Sequence, residues 1–366
     1  MPEPSGALPP GFLFVTCQVG AEPALKRELA RDWPELRFAY SRPGFLTFKL
    51  PPEHPLAAQL NLRSVFARTA GYSLGKLTGA DSNELARAIW PLVGQRQVHA
   101  VHVWQRDAHP PGEHSFQPGP TPLSIAAAAA IEQHLPPAGE VEPATTIPVN
   151  QIADRGQTVL DCVIVEPTEW WIGLHHVYSP PSRWPGGVLP IEPPSDMVSR
   201  AFLKMEESLA WSGLPIAAGD VCVELGSAPG GASQALLRHD LVVNGIDPAE
   251  MDPCVLAEPN FHYLRMRAAD LKRREFRGVK WLMSDMNVLP WQTFEAVESI
   301  VTNRQVNVAG LLLTLKLDDW SLAEEIPNYL NRIRAWGYRE VRARQLAFNR
   351  QEICISALKS RSHRRR

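Results

Sequence analysis

The sequence predicts an α/β fold with a parallel sheet in its C-terminal half and a mixed α+β region before it. In the C-terminal half, apolar runs typical of buried strands alternate with helix-like segments. Such alternation is typical of a parallel sheet with helices on both faces. These runs are at 220–225, 241–246, 261–266, 280–284, 310–317 and 352–357. In the N-terminal half, strand-like runs are at 12–17, 45–50, 98–104, 158–165 and 170–177, and helix-like segments are at 22–31, 82–90 and 125–134.

The composition is that of an ordinary globular protein. Charged residues make up 21% and apolar residues 45% of the 366 residues, a length sufficient for two or three domains. Five scattered cysteines without a C-x-x-C pair predict neither a disulfide framework nor a zinc knuckle, and we expect no metal site. The sequence has no signal-peptide pattern and no apolar run long enough to cross a bilayer, which predicts a cytoplasmic location.

Two proline-rich stretches divide the chain. The first, over residues 1–10, predicts a disordered N-terminus. The second, at Ser179–Pro194, predicts a linker or a clamp across two domains. The predicted organisation is a disordered segment over 1–11, the α+β region over 12–178, a linker over 179–195, the sheet domain over 196–358 and a basic tail over 359–366.

A glycine-rich turn after a strand is the most informative segment of the chain. The run Val221–Leu225 has the β-branched residues of a buried parallel strand, and small residues follow it. Glycines have no Cβ, so a ligand can approach the backbone closely. The candidate cofactor-binding residues here are the acid within the strand and the whole turn, namely Glu224, Gly226, Ser227, Ala228, Pro229, Gly230 and Gly231.

The cofactor can be narrowed down from the acids around this turn. Asp247 follows a second apolar run, at a spacing typical of an acid that accepts hydrogen bonds from ribose hydroxyls. The dinucleotide fingerprint G-x-G-x-x-G is absent, and Glu224 would repel a pyrophosphate. Glu224 can instead pair with an ammonium group, so we predict S-adenosyl-L-methionine rather than NAD. A glycine-rich turn without any ligand is the alternative.

Four ionisable residues outside the turn are candidates for catalysis. Lys204 lies in a predicted helix ahead of the first strand, and Asp285 ends a strand at the edge where ligands bind in open α/β sheets. Lys316 ends an apolar run, where a charge is costly unless it has a partner, and Glu352 opens the last strand. Each alone has a simpler explanation, such as a surface lysine for Lys204.

The order Lys–Asp–Lys–Glu around such a turn resembles the FtsJ-type 2′-O-ribose methyltransferases. The resemblance covers residues 179–358, and more weakly 12–178, where that family has an RNA-binding THUMP-type region. It implies a Rossmann-like methyltransferase domain, catalytic roles for the four residues, and large-subunit ribosomal RNA as the substrate. The segments that carry it are Pro194–Glu207, the L-G-x-x-P-G-G turn, Trp281–Met286, Leu315–Leu317, Arg344–Leu346 and Arg350–Glu352.

The resemblance also implies cofactor contacts and shows departures. It implies S-adenosyl-L-methionine contacts at Gly226, Pro229, Gly231, Asp247 and Asp270. We also expect Asp285 to lie near the methyl donor. Glu224 stands where the family usually has Asp, and Ala268–Leu271 replaces a more usual Glu-Asp-Gly. The acidic N-terminal region also departs from what strong RNA binding would require.

The chemistry assigns a role to each of the four groups. A ribose hydroxyl must lose its proton as it attacks a methyl group, and a positioned base accelerates this by roughly 10²–10⁴-fold. We hypothesise that Lys316 accepts or steers that proton and that Lys204 is its positive neighbour. Asp285 and Glu352 would hold both amines in place.

The expected partner is RNA, as ribosomal RNA or a pre-ribosomal particle, and the expected state is a monomer that does not bind membranes. Basic clusters over 265–280 and 332–350 predict a track for phosphates, and Arg183 with Trp184 predict contacts to backbone and base. Transfer RNA or a cap ribose is an alternative target. An RNA-binding module without activity and an NAD-dependent oxidoreductase are the alternatives from other classes.

Overall fold

The computed structural model describes residues 11–51, 61–136 and 147–359. The chain splits into two compact units, Met1–Pro190 and Ile191–Arg366. The predicted disordered segment and basic tail lie outside the described residues, apart from Gly11 and Lys359. Among the described residues, no helix has both the length and the apolar character needed to span a bilayer.

The first unit is built on one mixed sheet of seven strands, in the order β2-β3-β1-β4-β7-β6-β5. Neighbouring strands are antiparallel except β5 and β6, which are parallel. Strands β2 and β4 were not predicted. For β2 the reason is that the strand is largely exposed and lacks an apolar run. The strands are β1 (Phe12–Thr16), β2 (Arg37–Arg42), β3 (Phe45–Lys49), β4 (Thr69–Thr78), β5 (Ala100–Gln105), β6 (Thr158–Glu166) and β7 (Glu169–His176).

Three helices accompany this sheet: α1 (Glu22–Asp32), α2 (Ser82–Val93) and α3 (Pro122–Gln133). The main core is formed by α2 and α3 with strands β5, β6 and β7, and it includes the fully buried Trp170. Asp81 caps α2 by accepting hydrogen bonds from the backbone N–H groups of Asn83 and Glu84, which fixes where that helix begins.

The proline-rich segment over 179–187 packs on the first unit. The Arg183 guanidinium donates to the carbonyl of Ala153, and Gly186 lies so close to Trp104 that a Cβ would be 2.4 Å from its ring. Trp184 is buried, with 5% of its surface exposed. The prediction that Trp184 stacks on a base is therefore wrong, because its ring is not available to a nucleotide.

The second unit has another seven-stranded sheet, in the order β10-β9-β8-β11-β12-β14-β13. Its strands are β8 (Val221–Leu225), β9 (Val242–Ile246), β10 (Phe261–Leu264), β11 (Val279–Ser284), β12 (Gly310–Lys316), β13 (Glu340–Arg344) and β14 (Glu352–Leu358). Its helices are α4 (Ala201–Ser212), α5 (Gly231–Arg238), α6 (Pro253–Leu256), α7 (Pro290–Val301) and α8 (Ile326–Ala335).

The prediction of a wholly parallel sheet is wrong at one strand. Strands β8 to β12 pair in parallel, but β14 is antiparallel to both β12 and β13. The first residue of β14, Glu352, is therefore paired with the last residue of β12, Lys316. This reversal brings the start of β14 to the edge where the parallel strands end, which is the edge where ligands bind in open α/β sheets.

Candidate active site

The four residues predicted for catalysis come together at this edge as a ring of alternating charges. Lys204 Nζ lies 2.5 Å from Asp285 Oδ2 and 3.1 Å from Glu352 Oε1. Lys316 Nζ lies 3.4 Å from Asp285 Oδ1 and contacts Glu352 Oε2. Each carboxylate thus bridges both amines, and the formal charge of the ring is zero. The distances describe an ion-pair network, while the catalytic roles of its members stay a prediction.

Four separate elements supply the ring. Lys204 comes from α4, Lys316 from the end of β12 and Glu352 from the start of β14, while Asp285 directly follows β11. The backbone N–H of Asp285 donates to the carbonyl of Leu225, which ties it to the end of β8. The sheet register therefore sets three of the four positions.

Burial makes the ring electrostatically strong. The four side chains are between 5% and 18% exposed, so water screens their charges little. Burial raises the pKa of Glu352, but the two ammonium groups outweigh it and bring that pKa to about 2. Burial lowers the pKa of Lys316, but Asp285 and Glu352 outweigh it and leave the pKa above its ordinary value. Lys316 is therefore an ammonium at neutral pH in the free protein.

A buried carboxylate that the sequence reasoning missed anchors the segment before Glu352. Glu207, one turn after Lys204 on α4, accepts hydrogen bonds from the backbone N–H of Ala347 at 2.8 Å and of Phe348 at 2.9 Å. Asn349 Nδ2 then donates to Glu352 Oε1 at 3.3 Å. Glu207 lies in a segment that carries the family resemblance, but nothing in its own residue type distinguished it from the neighbouring Glu206.

The glycine-rich turn has a backbone that needs its glycines. Gly226 has a φ of +81°, and a Cβ there would be 2.8 Å from the Cα of Met286. Gly230 has a φ of +121°, and a Cβ there would be 2.7 Å from Val255 Cγ2. The positive φ and the missing space both favour glycine, so the turn lies directly against the residue that follows Asp285.

The two other predicted cofactor acids differ in their surroundings. Asp247 is half-buried after β9 and accepts hydrogen bonds from the backbone N–H of Ala228 at 3.2 Å and of Ala249 at 2.8 Å. It is thereby joined to the turn that would hold a nucleoside. Asp270 is exposed in a 3-10 turn six residues beyond β10, and its contact with the adenine stays a prediction.

The surroundings of Glu224 do not favour the negative charge that its predicted role, as a partner for an ammonium group, requires. It is 1% exposed, and Ser233 Oγ donates to its Oε2 at 2.5 Å. Burial raises its pKa to about 8, so the carboxyl is largely neutral at neutral pH. Its Oε1 has no hydrogen-bond partner within the part of the chain that the structure describes. In the neutral form the proton is on Oε1, because Oε2 accepts from Ser233, so Glu224 contributes little negative charge to the site.

These features fit the predicted S-adenosyl-L-methionine. The turn over 226–231 follows β8 at the carboxyl edge of the parallel strands, which is where ligands bind in open α/β sheets. Asp247 would hold the ribose hydroxyls through carboxylate oxygens that are already oriented by backbone donors.

We expect Glu224→Gln to stabilise the protein increasingly as pH rises. Between pH 4.5 and about 8 the folded protein keeps a proton on Glu224 that the unfolded chain releases, so rising pH favours unfolding. Glutamine does not titrate, so the variant should gain on the order of 3 kcal/mol between pH 5 and pH 8 relative to wild type. Urea unfolding at both pH values measures this, with the exposed Glu295→Gln as control. An equal gain at both pH values would contradict the expectation.

Comparison with known proteins agrees with this geometry. Residues 197–321 match the model of a family described as FtsJ-like methyltransferase. The matched range lies within the second unit. The matched range includes Lys204, Glu224, Asp285 and Lys316, while Glu352 lies beyond it.

Three curated relatives share the name Ribosomal RNA large subunit methyltransferase M. The protein from Halorhodospira halophila is 29% identical over 51% of this chain and 54% of its own length. That from Pseudoalteromonas translucida is 30% identical over 46% of this chain and 49% of its own length. The chain thus spans about half the length of these two relatives. The protein from Tolumonas auensis is 25% identical over 97% of this chain and 98% of its own length.

Proposed function

We propose that this protein transfers a methyl group from S-adenosyl-L-methionine to a ribose 2′-hydroxyl of large-subunit ribosomal RNA. The observation that carries the proposal is the ring of Lys204, Asp285, Lys316 and Glu352 beside the glycine-rich turn. The match of residues 197–321 to the FtsJ-like methyltransferase family and the name of the curated relatives support the reaction and the substrate.

The ring is suited to proton management at a hydroxyl. Bound S-adenosyl-L-methionine supplies an electrophilic methyl group, and the protein must orient the hydroxyl and take up its proton. Lys316 is the proposed acceptor, because its amine ends a strand at the ligand-binding edge. Asp285 and Glu352 hold that amine, and Lys204 balances their charge. Orientation of the hydroxyl by this fixed frame contributes further to the rate.

We expect the rate of methyl transfer to rise with pH. The carboxylates keep the pKa of Lys316 above its ordinary value, so only a small neutral fraction can accept a proton at pH 7. If the neutral amine is required, the single-turnover rate should rise about tenfold per pH unit until that pKa is approached. Rates at saturating RNA and cofactor from pH 7 to pH 9 measure this, with circular dichroism at each pH to verify folding. A rate independent of pH would exclude Lys316 as the base.

The first unit is proposed as the RNA-binding, THUMP-like part. The support is that the Tolumonas auensis relative aligns over 97% of the chain, and thus across the first unit as well.

Parts of the basic cluster over 265–280 are already paired within the second unit, since Lys280 binds Asp220 and Arg274 binds Glu275. Exposed Arg267, Lys272 and Arg277 are left as candidates for phosphate contacts.

Methylation of defined RNA tests the proposal directly. Purified protein and radiolabelled S-adenosyl-L-methionine are incubated with large-subunit RNA from cells that lack the protein, and 2′-O-methylated positions are mapped. We expect one site to become labelled, while RNA from wild-type cells accepts no label. Transfer RNA as the labelled substrate would correct the substrate, and labelling of a base instead of a ribose would overturn the proposed reaction.

A further inference from the structure

Three ionisable residues are buried together in the first unit, away from the candidate active site. His102 on β5, Asp161 on β6 and His175 on β7 lie on adjacent strands and are 0%, 0% and 5% exposed. One ligand atom from each lies within 4.8 Å of the others. The methyltransferase chemistry proposed above uses none of them.

Hydrogen bonds to the backbone fix the direction of both imidazoles. His102 Nε2 lies 3.0 Å from the carbonyl of Gln151, and His175 Nε2 lies 2.8 Å from the carbonyl of Ser182. A carbonyl only accepts, so both Nε2 atoms carry a hydrogen. Histidines that bind a metal are commonly held in this way, with the second nitrogen donating to a carbonyl or carboxylate.

Two buried acceptor atoms of this cluster have no donor among the described residues. In a neutral His102 the lone pair is on Nδ1, and this atom has no hydrogen-bond partner in the described part of the chain. Asp161 Oδ1 is likewise without a partner there, although Asp161 Oδ2 lies 2.6 Å from His175 Nδ1. Leaving two buried acceptors unsatisfied is costly, which points to a positively charged occupant between them.

We propose that His102, Asp161 and His175 bind a zinc ion. Imidazole nitrogens and a carboxylate are a ligand set that suits Zn²⁺, and Asp161 can supply one or both oxygens. On binding, zinc takes the place of the hydrogen on His175 Nδ1, and that proton is released to solvent, while Nε2–H continues to donate to Ser182. The site would join three strands to the two segments that carry Gln151 and Ser182. Sequence patterns predicted no metal, because the three residues are far apart in the chain.

Metal analysis of the full chain tests the proposal. Protein is expressed in zinc-supplemented medium, purified without chelator and measured by mass spectrometry for metals. We expect about one zinc per chain in wild type and, in His102→Gln and Asp161→Asn, less than about a tenth of that. His176→Gln is the matched control, since His176 is the next residue on β7 and its Nδ1 contacts Thr158 Oγ1 instead. Equal zinc in wild type and His102→Gln would overturn the proposal.

A second measurement does not depend on variants that fold poorly. Wild-type protein expressed in cobalt-supplemented minimal medium should show the visible absorption bands of cobalt(II) with nitrogen and oxygen ligands, at one equivalent per chain. Refolding with zinc rather than with chelator should raise the thermal midpoint by several degrees, because the ion binds only the folded site. Folded wild-type protein without zinc and without cobalt bands would overturn the proposal and indicate an ordered water between the two acceptors.

Discussion

Replacing Lys316 with methionine is expected to lower the rate of methyl transfer by about 10²–10⁴-fold, the range that a positioned base contributes. The side chain keeps its approximate volume but loses the amine that Asp285 and Glu352 hold. S-adenosyl-L-methionine affinity should change little, because the glycine-rich turn does not contain Lys316. Single-turnover methylation and a calorimetric titration with the cofactor measure the two quantities separately.

The matched control is Lys280→Met. Lys280 is also an ion-paired lysine on a strand of the same sheet, bound to Asp220 at 2.8 Å, but it is in β11 four residues before that strand ends. Its replacement should lower stability modestly and leave the rate unchanged. Wild-type turnover in Lys316→Met, with the same protein folded, would refute the assigned role.

Replacing Glu207 with glutamine is expected to affect both stability and rate, without any contact to the substrate. Glutamine can accept from only one of the two N–H groups of Ala347 and Phe348 and directs its own N–H groups at the other. The loss of a charged acceptor for a buried donor costs about 1–3 kcal/mol. The segment before Glu352 should loosen, and kcat should fall by roughly 10-fold to 10²-fold, since small displacements of positioned groups have effects of this size.

Glu206→Gln is the control for this effect. Glu206 is the neighbour of Glu207 on α4, and its carboxylate binds His239 at the surface. It should leave both unfolding and kcat close to wild type. A rise in the KM for RNA or cofactor without a change in kcat in Glu207→Gln would contradict a positioning role. Equal stability and kcat in both variants would exclude any role for Glu207.

The sequence predicts the positions of the four ring residues better than it predicts the contacts that hold them in place. Each of the four ring residues lies at the end or start of a predicted strand, or in a predicted helix, so an edge location followed from the strand pattern. The alternation of β-branched residues in Val221–Leu225 likewise predicted β8, the strand before the glycine-rich turn. Such signals are local in the chain, and the element pattern of a parallel sheet determines where strand ends meet.

Other features depend on contacts between distant segments and were not visible. The antiparallel direction of β14 could not be read from Glu352–Leu358, because a buried strand has the same apolar run in either direction. The neutral state of Glu224 and the ammonium state of Lys316 depend on burial and on charges from other elements. The anchor at Glu207 depends on backbone donors about 140 residues away.

The four ring residues come from α4, the end of β11, β12 and β14. A fragment of the second unit that lacks any one of these elements therefore lacks a member of the ring. A chain whose last strand has not yet docked could assemble the glycine-rich turn and bind cofactor, yet it would lack the second carboxylate. Methyl transfer would then require the whole second unit to be folded, so partly folded molecules would consume no methyl donor.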